Sequence, residues 1–206
     1  MPSPSEPRPA LDWASPIPVT WMLVGVLLGV HLATGLWWTL AEDGGLLESF
    51  VVARDVRYRA LVGGQYRVLV EQGQVWRLFT SVLLHGDALH LGVNAVALLA
   101  LGRLLEPLVG GLRTAAWFTL GGVAGSVLSQ VVGVEQSDGA SGGAFALLTA
   151  AVVLGLRYRA VLEEEDRYLL GPVLGSFLAL NVVLSFALPF VDAAGHLGGL
   201  ALGAMI

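Results

Sequence analysis

The sequence contains no cysteine and no lysine, and charged residues make up only 13% of its 206 residues. Without cysteine there is no disulfide framework, no thiol catalysis and no thiolate metal site. Soluble domains carry about 25% charged residues. The low charge, with 55% hydrophobic residues and a mean hydropathy of +0.74, therefore excludes an ordinary soluble domain. The net charge of −5 and the lack of a basic cluster argue against nucleic acid as a partner.

Long apolar segments separated by short polar ones make up most of the chain, which is typical of a multi-span helical membrane protein. We predict six membrane spans, at residues 19–41, 83–105, 114–133, 141–156, 168–190 and 192–206. The fifteen residues of the sixth span reach only about 22 Å into a core that is ~30 Å thick, so we expect this span to be cut short. The first apolar run is too long for a signal peptide, so residues 1–18 are expected to be a short tail before a true span.

The placement of arginine predicts the orientation in the membrane. The tail, the turn at 103–113 and the loop at 157–167 lie on one side and carry arginine, whereas the short loops on the other side carry none. The positive-inside rule therefore places the N-terminus in the cytoplasm. All eleven basic residues are arginine in a chain rich in Gly, Ala, Val and Leu, which favours a bacterial source and the bacterial inner (cell) membrane.

The first loop, residues 42–77, is long and mixes charged with aromatic side chains. It holds five arginines among aromatic residues such as Tyr58, Tyr66 and Trp76. This mixture suits a segment that lies in the headgroup region of the bilayer rather than free in water. We therefore expect the loop to be embedded in the membrane.

Strongly polar side chains inside membrane spans are costly and mark candidate functional sites. The second, fourth and sixth spans all enter from the predicted outer side, and each carries its polar residues near its beginning. These residues are His85, His90 and Asn94 in the second span, Ser141 in the fourth and His196 in the sixth. A shared site below the outer surface explains this coincidence most economically.

Glycine supports this interpretation. Gly195, Gly199 and Gly203 are four apart, so one face of the sixth span lacks side chains and lets another helix approach closely. If that helix is the fourth span, Ser141 and His196 come within hydrogen-bonding distance. A serine beside a histidine base is the minimal arrangement for nucleophilic acyl chemistry.

His90 and Asn94 are also four apart and project from one helical face. Both side chains can donate a hydrogen bond to a developing oxyanion, with the Ser141 backbone N–H as a third donor. His85 lies off that face and nearer the start of the helix.

Each of these residues also has a purely structural interpretation. Ser141 can be the N-cap of its helix, and His90 and Asn94 can be interhelical hydrogen-bonding residues. Asp192 can orient His196, although a helix N-cap is the favoured role, and a structural role is favoured for His31. Two alternatives for the whole chain are a metal site built from His85, His90 and His196 and a membrane scaffold without catalysis.

Four motifs follow one another along the chain: Trp76-Arg77, His85-x4-His90-x3-Asn94, Gly139-x-Ser141-Gly142 and Gly195-His196-x2-Gly199-x3-Gly203. In this order and on these spans, they resemble the motifs of the rhomboid intramembrane serine proteases. The resemblance covers the chain from Val19 onward. It implies an all-α membrane protein: a six-transmembrane-helix rhomboid bundle at residues 19–206 with a long membrane-embedded first loop.

The resemblance also implies a function and a set of site residues. Ser141 would be the nucleophile and His196 the base of a dyad, with His90, Asn94 and the Ser141 N–H as the oxyanion hole. Supporting positions would be His85, Phe145, Gly139, Gly142 and Gly199, where Phe145 replaces the tyrosine that is familiar against the catalytic histidine. The protein would cleave transmembrane segments of other membrane proteins from a water-filled cavity that opens to the outer side, without a metal or cofactor. The fifth span, with Phe177 and Phe186, would be a lateral substrate gate.

Overall fold

The computed structural model describes residues 11, 13–41, 45–51 and 55–206, without the side chains of Leu46 and Glu48. Most of the predicted tail, and residues 42–44 and 52–54 of the predicted first loop, lie outside the described residues. The helices are α1 (Pro18–Ala41), α2 (Leu46–Phe50), α3 (Val56–Leu61), α4 (Arg67–Glu71), α5 (Arg77–Thr80), α6 (Ala88–Val109), α7 (Gly111–Val132), α8 (Ser141–Arg157), α9 (Glu164–Tyr168), α10 (Leu174–Ala187) and α11 (Ala193–Ala204).

The long helices confirm an all-α membrane bundle. Four helices are long and apolar enough to cross a membrane: Pro18–Ala41, Ala88–Val109, Gly111–Val132 and Glu164–Ala187, the last of which runs from the start of α9 to the end of α10. Helix α8 is apolar but shorter, and α11 has 12 residues. The predicted second span begins five residues too early. Its helix starts at Ala88 because the Asp87 carboxylate accepts a hydrogen bond from the His90 N–H at 2.7 Å and caps α6.

The predicted fifth span is a composite helix. Helix α9 continues through a π-helical turn at Leu169–Val173 into α10, and Pro172 lies inside that turn. Proline cannot donate a backbone hydrogen bond, and the wider turn accommodates its ring. The helix ends at Ala187, three residues before the predicted boundary at 190. Helix α10 packs against α8 and α11.

Gly199 and Gly203 of the predicted glycine face of α11 pack against α8. A Cβ placed on Gly199 would lie 1.9 Å from the carbonyl oxygen of Gly142, and one on Gly203 would lie 2.4 Å from that of Ala146. On its other side α11 meets α7, where a Cβ on Gly125 would lie 2.4 Å from the Gly195 carbonyl oxygen. Helices α7, α8 and α11 therefore contact one another through their backbones, which is how small residues bring membrane helices together.

Several contacts join the described residues of the first loop to the bundle. His31 of α1 contacts the carbonyl oxygen of Phe50 through Nε2 at 3.0 Å, which fits the structural role favoured for this histidine. The short strands β1 (Gln65–Tyr66) and β2 (Gln136–Ser137) pair antiparallel, with Gln65 opposite Ser137. This small β-pair is absent from the sequence-based expectation. It ties the first loop to the segment that leads into α8.

Candidate active site

Ser141 is the first residue of α8, and the segment before it is held by several elements. Gly139 has φ +125°, a backbone conformation that favours glycine. Its N–H donates to the carbonyl oxygen of Ser81 at 2.9 Å, and the Ala140 N–H donates to His85 Nε2 at 3.4 Å. The N-cap of α8 is Ala140, so Ser141 does not fill the capping role of the structural alternative. Its N–H lies in the first turn, where backbone N–H groups have no intrahelical acceptor.

His85 lies before α6 rather than inside a membrane span, which corrects the predicted location. It precedes the Asp87 cap, and its side chain is buried with only 2% exposed. Its ring packs edge to face against that of His90, with centroids 5.0 Å apart. His85 therefore supports both the segment that leads into Ser141 and the ring of His90.

His90 and Asn94 share one face of α6, as their spacing predicts. A Cβ placed on Gly139 would lie 2.7 Å from His90 Cε1, so the His90 ring lies directly against the segment two residues before Ser141. Asn94 is buried, and its side-chain amide donates to the His90 carbonyl oxygen at 2.9 Å. Gly139 thus lacks a side chain where the imidazole needs the space.

His196 is fixed on two sides. Its ring stacks on Phe145, with centroids 4.1 Å apart and an angle of 18° between the ring planes. Its Nδ1 lies 2.6 Å from the hydroxyl oxygen of Ser185 on α10. The structure therefore places Phe145 against His196, one helical turn after Ser141. Ser185 is a contact that the sequence reasoning did not identify.

Asp192 is the N-cap of α11 and does not orient His196. Its carboxylate accepts a hydrogen bond from the Gly195 N–H at 2.9 Å. It also accepts from the Ser129 hydroxyl at 2.5 Å and the Ser137 hydroxyl at 2.6 Å. The helix-cap role favoured from the sequence is the observed one.

The helix contacts bring Ser141 and His196 onto neighbouring turns of α8 and α11. Gly142, the residue after Ser141, meets Gly199, and Phe145 meets His196 itself. Among the described side chains, the hydrogen bonds do not include one between Ser141 and His196. In enzymes without substrate such bonds are often long and tighten when the substrate binds. The dyad and the oxyanion hole therefore stay predictions.

A buried carboxylate joins the first loop to the segment before Ser141. Asp138 accepts hydrogen bonds from the Gln65 N–H at 3.1 Å and the Gln136 side-chain amide at 2.9 Å, and it lies 3.8 Å from Arg59. Burial raises the pKa of the Asp138 carboxyl from 3.8 to about 6, although its hydrogen bonds and Arg59 act in the opposite direction. Sequence reasoning did not single out this residue, because its partners Gln65 and Arg59 lie far from it in the chain.

This raised pKa predicts how stability depends on pH. The folded state holds the proton of Asp138 up to about pH 6, whereas the unfolded state loses it near pH 4, so this group's contribution to the free energy of unfolding falls as the pH rises from about 4 to about 6. Above that window the buried charge of Asp138 lowers the free energy of unfolding by about 3 kcal/mol. We expect Asp138→Asn to gain stability relative to the wild type across this window. Thermal unfolding in detergent from about pH 4 to about pH 8 measures this gain. Parallel melting-temperature curves for the two proteins would contradict the prediction.

The fold and the site together define a multi-span helical membrane protein that presents a serine and a histidine on two closely packed helices. Residues 72–206 match the family model of the Rhomboid domain. The chain therefore belongs to the rhomboid family.

Curated relatives are similar over different shares of their length. The chain is 29% identical to RHOMBOID-like protein 5 of Arabidopsis thaliana, over 98% of this chain and 71% of that protein. It is 32% identical to Rhomboid protease GluP of Bacillus subtilis, over 67% of this chain and only 26% of that protein. It is also 29% identical to Inactive RHOMBOID-like protein 8 of Arabidopsis thaliana, over 66% of this chain and 38% of that protein. The relatives include a protein named as a protease and one named as inactive. Membership of the family therefore does not decide whether this chain is active. Plant and bacterial relatives together also leave the predicted bacterial source a prediction.

Proposed function

We propose that the chain is an intramembrane serine endopeptidase that cleaves transmembrane segments of other membrane proteins. The observation that carries the proposal is the packing of α8 on α11. The Gly142–Gly199 contact and the stacking of Phe145 on His196 support the proposal, because the turns of α8 and α11 that carry Ser141 and His196 are neighbours. His90 on α6 adds a polar group against the same segment. The relatives named proteases make this chemistry the natural one for the site.

In the proposed reaction His196 accepts the proton of the Ser141 hydroxyl through Nε2 while the Ser141 oxygen attacks the scissile carbonyl carbon. His90, Asn94 and the Ser141 N–H donate hydrogen bonds to the oxyanion. The tetrahedral intermediate collapses, His196 gives its proton to the leaving amine, and an acyl-enzyme forms on Ser141. Water, activated by His196, then hydrolyses this ester and frees the serine.

The substrate would be a transmembrane helix, whose carbonyls are held in its own hydrogen bonds. The scissile segment must therefore unwind, so we expect small or helix-breaking residues near the cut. We further propose that the N-terminus is cytoplasmic, that the membrane is the bacterial inner membrane, and that cleavage takes place near the outer face. The arginine distribution of the short loops supports this orientation.

Cleavage of a reporter transmembrane segment in proteoliposomes tests the proposal. We expect the wild type to cut the segment and Ser141→Ala to lose at least about 10³-fold in rate, because the nucleophile is gone. Ser176→Ala is a matched control, since it removes the hydroxyl of an exposed serine on α10. It should cut at the wild-type rate.

Two outcomes would contradict the proposal in different ways. Binding of the segment by the wild type without cleavage would indicate a scaffold, and a relative named inactive does occur. Cleavage that survives Ser141→Ala but stops with a chelator would indicate metal chemistry instead. Among the described residues, no group of three or more histidine or acidic side chains is arranged to hold a metal ion.

A further inference from the structure

Helix α10 has one buried side chain along its 14 residues, and that side chain belongs to a serine. The residue is Ser185, which is 4% exposed, on a helix whose exposed side chains are mostly apolar, such as Phe177 and Phe186. A small apolar residue would fill this buried position without bringing a polar group into the membrane. A buried hydroxyl in this position calls for a polar partner, and the imidazole of His196 is a side chain within hydrogen-bonding distance.

The hydrogen bonds of Ser185 set the direction of this contact. Its hydroxyl lies 2.7 Å from the Asn181 carbonyl oxygen, which can only accept, and 2.6 Å from His196 Nδ1. A serine hydroxyl has one proton to donate. If that proton went to Nδ1, two oxygen acceptors would face each other at 2.7 Å with no proton between them. Donation to the carbonyl, which serine commonly makes one turn back in a helix, avoids this repulsion and leaves the Ser185 oxygen to accept from Nδ1–H.

We propose that Ser185 is a positioning residue that holds His196 as the Nδ1–H tautomer and so leaves the lone pair of Nε2 available to accept the proton of Ser141. A neutral imidazole protonated on Nδ1 can accept a proton only at Nε2. The stacking on Phe145 fixes the plane of the ring, and the Ser185 bond fixes its rotation within that plane. The opposite tautomer would carry its hydrogen atom on Nε2, the nitrogen that must accept the proton of Ser141.

The catalytic consequence of this inference rests on the proposed function, but its structural part does not. During the reaction His196 becomes an imidazolium, and the Ser185 oxygen then accepts a hydrogen bond from a charged donor, which is stronger than a neutral bond. The base is thereby linked to α10 as well as to α8 and α11. A neutral hydroxyl supports this charge less than a carboxylate does, so the expected effect on rate is moderate.

The first test measures the tautomer and needs no activity. The chain has four histidines, so ring-¹⁵N-labelled protein in liposomes gives a simple NMR spectrum, and His196→Ala assigns the signals of His196. At about pH 8, above the ordinary histidine pKa of about 6.5, we expect wild-type His196 to carry its proton on Nδ1. In Ser185→Ala this preference should be lost. Protonation on Nε2 in the wild type, or an unchanged spectrum in Ser185→Ala, would overturn the inference.

The second test measures cleavage of the reporter segment. Ser185→Ala is expected to lower kcat by about tenfold to a hundredfold with little change in KM, because the lost bond strengthens only as charge develops on His196. Ser185→Thr keeps a hydroxyl that can bond one turn back and should retain most of the rate. Ser176→Ala is the matched control on the same helix. A wild-type rate in Ser185→Ala would overturn the catalytic part while leaving the protease proposal intact. If the wild type does not cut, the protease proposal fails and the NMR result alone decides the role of Ser185.

Discussion

Replacing His196 with alanine is expected to lower the rate of reporter cleavage by at least about 10³-fold. The physical reason is that the Ser141 hydroxyl is a poor nucleophile unless a base removes its proton as it attacks. In the proposed reaction that base is the imidazole stacked on Phe145. Rates in proteoliposomes measure the loss, and thermal unfolding in detergent checks that the variant is folded.

A double variant at Ser141 and His196 and a control variant at His31 test whether the loss is specific to a dyad. If Ser141 and His196 act as one unit, the variant lacking both should be no slower than either single variant, because the effects of such a pair are not additive. His31→Ala removes a histidine that contacts the first loop rather than the site. The variant protein that folds should therefore have a kcat close to that of the wild type. Additive losses at Ser141 and His196 would show that the two residues do not form a dyad.

Replacing Gly199 with alanine is expected to produce the largest loss of stability. Its added Cβ would lie 1.9 Å from the Gly142 carbonyl oxygen, which belongs to the backbone and cannot turn away. Overpacking costs about 1–3 kcal/mol, and a clash with backbone belongs at the upper end of that range. At about 2–4 °C per kcal/mol for a chain of this size, the melting temperature should fall by ~6–12 °C. Cleavage should fall as well, because Gly142 follows Ser141 directly.

Gly29 provides the matched control for this substitution. It also lies inside a membrane helix, but a Cβ placed on it meets nothing within 4 Å. Gly29→Ala should therefore leave the melting temperature unchanged or raise it slightly, since alanine favours helix more than glycine does. Equal losses in the two variants would show that helix propensity, and not the close approach of α8 and α11, governs the effect.

Several features of the site were predictable because they depend on spacing within one helix. The four-residue interval placed His90 and Asn94 on one face of α6, and the glycine repeat of α11 predicted a close helix contact. The position one turn after Ser141 predicted the stacking of Phe145 on His196 through the family resemblance. Ser185 was missed, although its four-residue interval from Asn181 on an apolar helix was a signal that could have found it.

Other features could not be predicted, because their partners are far apart in the chain. Asp138 has contacts with Gln65 and Arg59 that depend on the pairing of β1 with β2. His85 contacts the Ala140 N–H, which belongs to a residue 55 positions further along the chain. Neither arrangement leaves a periodic pattern in the sequence.

The sequence by itself determined that the chain is a helical membrane protein, which of its helices carry polar residues near their beginnings and which glycine face allows close packing. Those properties follow from composition and from periods of three to four residues, which act locally. The tertiary structure alone decided which nitrogen of His196 has a partner and which loop supports the segment before Ser141. The physical reason is that a membrane helix is apolar on its lipid face and its buried face alike. Its rotation and crossing are therefore set by contacts with its neighbours.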